Sequence, residues 1–188
     1  MTTPPGHGHP RLVDGVTLRH FGIIDTMSLL EARVARCPGP RWTETVWSEV
    51  LAGIGRPECD AVLAAQFLGQ PYQVSVDDLE GVFRLRIALR DQSDDGDPAR
   101  DLGEAESIFA ADRLNGDFVT DDGAAYDFAR RRLGSNRVFD TIDLLREAVA
   151  QGEISSSEAQ HIANAIRNSG RHLRRLHPPT LTADYFKP

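Results

Sequence analysis

Short apolar segments that end in a carboxylate recur along this chain, and each is followed by a longer stretch with apolar residues at helical spacing. Leu12-Val13 runs into Asp14, and Phe118-Val119-Thr120 runs into Asp121-Asp122. After the first segment, Leu18, Phe21, Ile24, Leu29, Leu30 and Val34 recur at the spacing of helix faces. Strands that alternate with helices form a parallel sheet wrapped by those helices. Open sheets of this kind bind their ligands in the crevice outside the carboxyl ends of the strands. Carboxylates at those ends therefore point into a shared crevice.

The remaining pattern fits the same alternation. Strands are expected at 11–16, 41–43, 71–76, 117–120 and 137–139. Two short helices fill 17–34, with Asp25-Thr26 as a cap between them. Further helices are expected from Thr43 or Glu44 to about Ala52, over 57–68 with Pro57 in its first turn, and over 77–90. Others should cover 102–114, 122–133 with Gly134 closing it, 141–150 and 155–169. Ser155 with Glu158 three residues on forms a capping box. Residues 1–10, rich in Pro, Gly, Thr and His, read as a disordered tail, and 171–188 as a second tail with little regular structure. One domain over 11–170 lies between them. Residues 92–100 form a polar loop; Asp94, Asp95 and Asp97 lack the bidentate acid that a calcium loop places at fixed spacing.

The chain has 188 residues, enough for one domain with a substantial core. Its 40% hydrophobic and 26% charged content is that of a globular protein. No apolar run reaches the roughly 18 residues of a membrane span. The first ten residues show neither a basic nor an apolar signal region, so a cytoplasmic address is expected. Cys37 and Cys59 belong to no metal-binding spacing and read as buried or idle thiols. A net charge of −7 argues against general attraction to nucleic acid. Local basic runs at 130–132 and 171–175 could meet phosphates or form solvated helix faces.

Two more acidic stations lie between the strand-end pair. Glu49 closes Thr45-Val46-Trp47-Ser48-Glu49, and Glu104 stands in Gly103-Glu104-Ala105-Glu106. Carboxylates that converge repel one another unless a cation neutralises them, and hard oxygen donors suit Mg²⁺ or Mn²⁺. Each station also has a structural role open to it. Asp14 and Asp121-Asp122 could cap helices, Glu104 could complement a helix dipole, and Glu49 could be a solvated helix residue. Glu106 is expected to face elsewhere. One explanation covering all four stations is the more economical.

The succession resembles the PIN-domain nucleases, and within them the VapC-like group with a long helical C-terminal extension. Leu12-Val13-Asp14 with Val16, Leu18 and Phe21 resembles the opening strand and first acid. Trp42 to Val50, Leu102-Gly103-Glu104-Ala105-Glu106, and Phe118 to Asp122 with Ala129-Arg130 resemble the next three stations. Thr141 through Gly152-Glu153-Ile154 resembles the closing pattern, so the likeness spans 11–170. It implies a PIN-like three-layer α/β/α sandwich with a central parallel sheet and C-terminal helices. It implies catalytic metal ligands at Asp14, Glu49, Glu104 and Asp122, with Asp121 as a helper at the metal and Thr120 as a hydroxyl neighbour. The implied activity is Mg²⁺- or Mn²⁺-dependent hydrolysis of RNA phosphodiesters, as in the toxin of a toxin–antitoxin pair. RNA is then the substrate, and an antitoxin protein and a second copy of the chain are the partners the family uses.

The chain departs from that pattern where Gly15-Val16, rather than a small hydroxyl residue, follows the first acid. Asp25-Thr26 offers a second opening acid. Asp14 lies 35 residues before Glu49 and leaves room for a strand, two helices and another strand, whereas Asp25 leaves a cramped 24. A non-catalytic PIN-like module that binds nucleic acid or protein is the alternative from another class. His20 and His161 read as packed or surface histidines, and Trp42 and Trp47 as core.

Overall fold

The computed structural model describes residues 8–90, 101–174, 178 and 180–187. The readings of 1–7 as a tail and of 92–100 as a loop lie outside the described residues. Three strands, β1 (Arg11–Val13), β2 (Asp117–Val119) and β3 (Val138–Phe139), form a parallel sheet in the order β1-β2-β3. Leu12 pairs with Phe118 and Phe118 with Val138; Val13 pairs with Val119 and Val119 with Phe139.

Alternation along each strand sends these two rows to opposite faces. Val13, Val119 and Phe139 pack with residues of α1 (Gly15–Ile23), α2 (Met27–Val34), α3 (Glu44–Leu51) and α4 (Pro57–Ala64). Leu12, Phe118 and Val138 pack with residues of α5 (Leu79–Arg90), α6 (Leu102–Arg113) and α7 (Gly123–Leu133). Leu12 and Phe118 are fully buried, each contributing about 1.5–3 kcal/mol relative to exposure. Two further helices, α8 (Thr141–Ala150) and α9 (Ser156–Asn168), build a third apolar cluster around Ile142, Leu145 and Ile166. The fold is mixed α/β and mostly helical, and its sheet is small.

The caps set the helix boundaries. Ser155 and Glu158 form the expected capping box at α9, and Asp140 with Asp143 forms another at α8. The first strand is shorter than expected because Asp14 already caps α1. Residues 41–43 and 71–76, expected as strands, make only one parallel bridge, between Thr43 and Tyr72. Thr43 is still extended but caps α3, so the chain turns helical at Glu44, and Pro71 has no N–H to donate. One hydrogen bond, from Val13 N to Arg41 O (2.8 Å), ties the first segment to the sheet edge, and two, from Tyr72 N to Trp42 O (2.9 Å) and from Glu44 N to Tyr72 O (3.0 Å), tie the second segment to the first.

Among the described residues after 170 regular structure is limited to a 3₁₀ turn at Ala183–Phe186, yet Leu173, Leu181 and Phe186 are buried against α8 and α9. Their spacing is too irregular for a periodic signal. Trp42 is core, 5% exposed, with its indole N–H on Gly69 O. Among the described residues no helix is long and apolar enough to cross a membrane.

Candidate active site at the carboxyl edge of the sheet

Parallel pairing brings the ends of all three strands to one edge. Asp14 N donates to Val119 O (3.0 Å), and Thr120 N donates to Phe139 O (2.9 Å). Asp14, Thr120-Asp121-Asp122 and Asp140-Thr141 consequently stand side by side where the strands give way to helices.

Asp14 is 1% exposed. Its Oδ1 accepts from Thr17 N (2.6 Å), and its Oδ2 accepts from the Thr120 hydroxyl (2.5 Å). Burial pushes its pKa from 3.8 up to about 6, against the pull of the Thr120 and Thr17 hydrogen bonds, and the charge of Asp121 adds to the rise. The hydroxyl that the sequence lacks just after this acid is supplied from the neighbouring strand end.

Glu49 reaches the same place from α3. A methyl built on Gly15 would lie 3.2 Å from Glu49 Oε2, and one built on Gly103 would lie 2.8 Å from Glu49 Oε1. Its carboxylate therefore spans the first residues of α1 and α6. The residue as a whole is open to solvent, but this end is drawn in beside Gly15, Arg19 and Gly103. Loss of water there raises its pKa; the Arg19 guanidinium opposes the rise, and the charges of Asp14 and Glu106 reinforce it.

Glu104 lies in the first turn of α6. Its pKa is pushed from 4.5 to about 8, by burial first and then by the charge of Asp14; its own backbone N–H opposes this, and Glu49 and Asp122 add to it. Asp122 is partly buried, caps α7 through Ala125 N (2.8 Å), and receives order from Thr120, whose Oγ1 accepts from Asp122 N (3.0 Å). Glu104 thus lies close enough to Asp14, Glu49 and Asp122 to feel the charge of each, and Glu49 feels that of Asp14. Asp25, the other opening acid, is exposed in the turn beyond the far end of α1, roughly 13 Å of helix from Asp14.

Asp121 has both oxygens engaged. Oδ1 accepts from Thr141 N (3.2 Å), while Oδ2 meets the Thr141 hydroxyl and His20 Nδ1 (2.8 Å). It links α1, β2 and α8 rather than presenting free oxygens to the cluster. Glu106, expected to face elsewhere, is 6% exposed, and its Oε2 accepts from Thr45 N (2.9 Å), locking α6 to the first turn of α3. Asp140, the third strand-end acid, is fully buried and paired with Arg174 Nε (2.6 Å). Thr141 was flagged by the closing pattern. Nothing local in the sequence pointed to the partners of His20, Glu106 and Arg174, which lie far away in the chain. Of the basic runs, Arg132 pairs with Asp112, Arg171 with Glu58 and Arg174 with Asp140; Arg175 lies outside the described residues.

The donor set is all carboxylate, two of its members are held far above the usual carboxylate range, and a hard divalent cation is what relieves such repulsion. As they stand, no three His, Cys, Asp or Glu side chains among the described residues close around one point as an ion-holding group. Glu49 and Glu104 have the three side-chain torsions needed to adjust. No protein-family model matches the chain, and no curated protein or solved structure is significantly similar to it.

Proposed function

We propose that the chain is a divalent-metal-dependent ribonuclease built on a PIN-like three-layer α/β/α scaffold. What carries this reading is the electrostatic coupling of Asp14, Glu49, Glu104 and Asp122, four residues remote in sequence, at the carboxyl edge of a parallel sheet. Helices packed on both faces of that sheet support the scaffold.

The four carboxylates would hold Mg²⁺ or Mn²⁺, which when bound lowers the pKa of a water and offsets charge on the phosphoryl oxygens. The chain's own residues do the positioning. Thr120 and Thr17 N fix both oxygens of Asp14. Thr120 and the first turn of α7 fix Asp122. Glu106 holds the start of α3, and with it Glu49, against α6. No protein nucleophile is needed.

A role as the toxin of a toxin–antitoxin pair, with an antitoxin and a second copy as partners, rests on the resemblance alone. The decisive experiment incubates the purified chain with single-stranded and structured RNA in Mg²⁺, Mn²⁺ or EDTA. Cleavage that EDTA and Asp14→Asn or Asp122→Asn each abolish, with the circular dichroism unchanged, supports the reading. RNA or protein binding that survives these changes without any cleavage would replace the enzyme by a binding module.

A further inference from the structure

A pocket of about 750 Å³ opens beside Asp122, between α1, the start of α7 and residues 170–174. His20 stands in its wall with Val16, Asp121 and Asp127. The imidazole is 1% exposed, and its Nδ1 lies 2.8 Å from Asp121 Oδ2. An ionised carboxylate only accepts hydrogen bonds, so Nδ1 carries the proton. In this tautomer Nε2 presents a lone pair, and it has no hydrogen-bond partner. No other residue lining this pocket has a buried side-chain atom left without a partner among the described residues. A buried acceptor left unpaired is a standing cost that a donor from a ligand would remove.

The surroundings decide what kind of donor. The pocket's arginines are already neutralised, Arg174 by Asp140 and Arg171 by Glu58, while Asp122 and Asp127 add negative charge. Such a wall disfavours a phosphate and tolerates a hydroxyl. Phosphodiester oxygens only accept hydrogen bonds. On an RNA strand the donor within one sugar of a phosphate is the ribose 2′-hydroxyl, the group that separates RNA from DNA. Resting on the ribonuclease reading above, we propose that His20 Nε2 accepts a hydrogen bond from the 2′-hydroxyl of a nucleotide next to the scissile phosphate, with Asp121 and Thr141 as its positioning partners, so that His20 sets the preference for ribose.

The test measures binding of the full chain to short RNA strands with Ca²⁺ in place of Mg²⁺, scanning a single 2′-deoxy substitution along the strand. Wild type should bind roughly tenfold more weakly when one particular sugar is deoxy, whichever base that nucleotide carries. His20→Asn keeps a donor toward Asp121 but has no Nε2 acceptor, so it should bind the ribose and deoxy strands alike. The wild-type ¹⁵N resonance of His20 Nε2 should move with the all-ribose strand and stay still with the strand deoxy at that sugar, a readout that needs no variant to fold. Indifference of wild type to every single deoxy position, or a full deoxy penalty retained by His20→Asn, overturns the inference, as does a penalty that follows the base. A chain that cleaves RNA while ignoring the sugars sinks this inference alone. A chain that neither binds nor cleaves RNA sinks the ribonuclease reading as well.

Discussion

The Thr120 hydroxyl donates to Asp14 Oδ2 at 2.5 Å while its oxygen accepts from Asp122 N at 3.0 Å, so one side chain orders two of the four carboxylates. Thr120→Val removes both links at nearly constant volume. Thr120 holds the Asp14 pKa down, so in the variant this pKa rises above about 6. Stability should fall by about 1–3 kcal/mol in urea unfolding, because Asp14 is left with a buried, unpaired oxygen. The acidic limb of the cleavage pH profile should move to higher pH, and Thr120→Ser should restore it.

Asp14 and Glu104 make the metal-free protein less stable as pH rises. Both acids have folded-state pKa values raised above their unfolded values, from 3.8 to about 6 and from 4.5 to about 8. Between those limits the folded state binds more protons than the unfolded chain, so stability falls with increasing pH. The loss starts near pH 4 and is complete above about pH 8. Its size is on the order of a few kcal/mol, shared between two groups that feel each other's charge. Thermal unfolding from pH 5 to 8.5 in EDTA should show a declining Tm, and millimolar Mn²⁺ should flatten that decline. Binding of the ion at pH 7 should release protons, measured by calorimetry in buffers of different ionisation enthalpy.

Glu104→Gln separates the cost of the cluster from its use. At pH 8 without metal the variant should be more stable than wild type by about 1–2 kcal/mol, because a neutral amide replaces a carboxylate that burial and Asp14 disfavour. The stabilisation by Mn²⁺ should shrink to a small fraction of the wild-type shift, and cleavage should drop at least a hundredfold. A variant that is no more stable in EDTA would mean that Glu104 is not strained by its neighbours.

Arg11 opens β1 and is fully buried, with Nη1 on Glu147 Oε2 (2.8 Å), Nη2 near Asp117 Oδ2 (3.4 Å), and its guanidinium 4.5 Å from the centre of the Phe139 ring. Arg11→Met strands two carboxylates beside the sheet. Removing one partner of a buried pair costs roughly 3–5 kcal/mol; Glu147 keeps some contact with water, which places the expected loss near 3 kcal/mol in urea unfolding. The carboxylate cluster does not involve Arg11, so the metal affinity of the folded variant should match wild type.

The sequence makes most of the helices and all four carboxylate stations legible, because both are written in local patterns. Apolar spacing reveals α6 and α7, Ser155 and Glu158 mark the start of α9, and an acid soon after an apolar pair, Leu12-Val13 or Phe118-Val119, marks each of the first two strand ends. What binds the stations together is not local. His20 meets Asp121 across 101 residues, Thr120 meets Asp14 across 106, and Arg11 meets Glu147 across 136. Such pairs depend on sheet register, which no window of a dozen residues contains. The same limit explains the strands expected at 41–43 and 71–76. Their β-like residues are real, but a cap at Thr43 and a missing donor at Pro71 decide the outcome.

Gly103 tests the position of Glu49 without touching any carboxylate. It sits in the first turn of α6 with its Cα facing the end of Glu49, and a methyl there would lie 2.8 Å from Oε1. Something must shift, and the end of a solvent-open glutamate shifts more cheaply than two packed helices. Alanine also favours the helix over glycine by up to about 1 kcal/mol. Gly103→Ala should therefore leave the unfolding free energy within about 1 kcal/mol of wild type while pushing the Glu49 carboxylate away from Gly15 and Asp14. Metal affinity and RNA cleavage should each fall about tenfold or more, read by Mn²⁺ titration and by cleavage rates at saturating metal. Gly15→Ala, where the same carboxylate lies 3.2 Å away, should act in the same direction and more weakly. If Gly103→Ala kept full metal affinity, Glu49 would not be a ligand, and the site would reduce to the three acids at Asp14, Glu104 and Asp122.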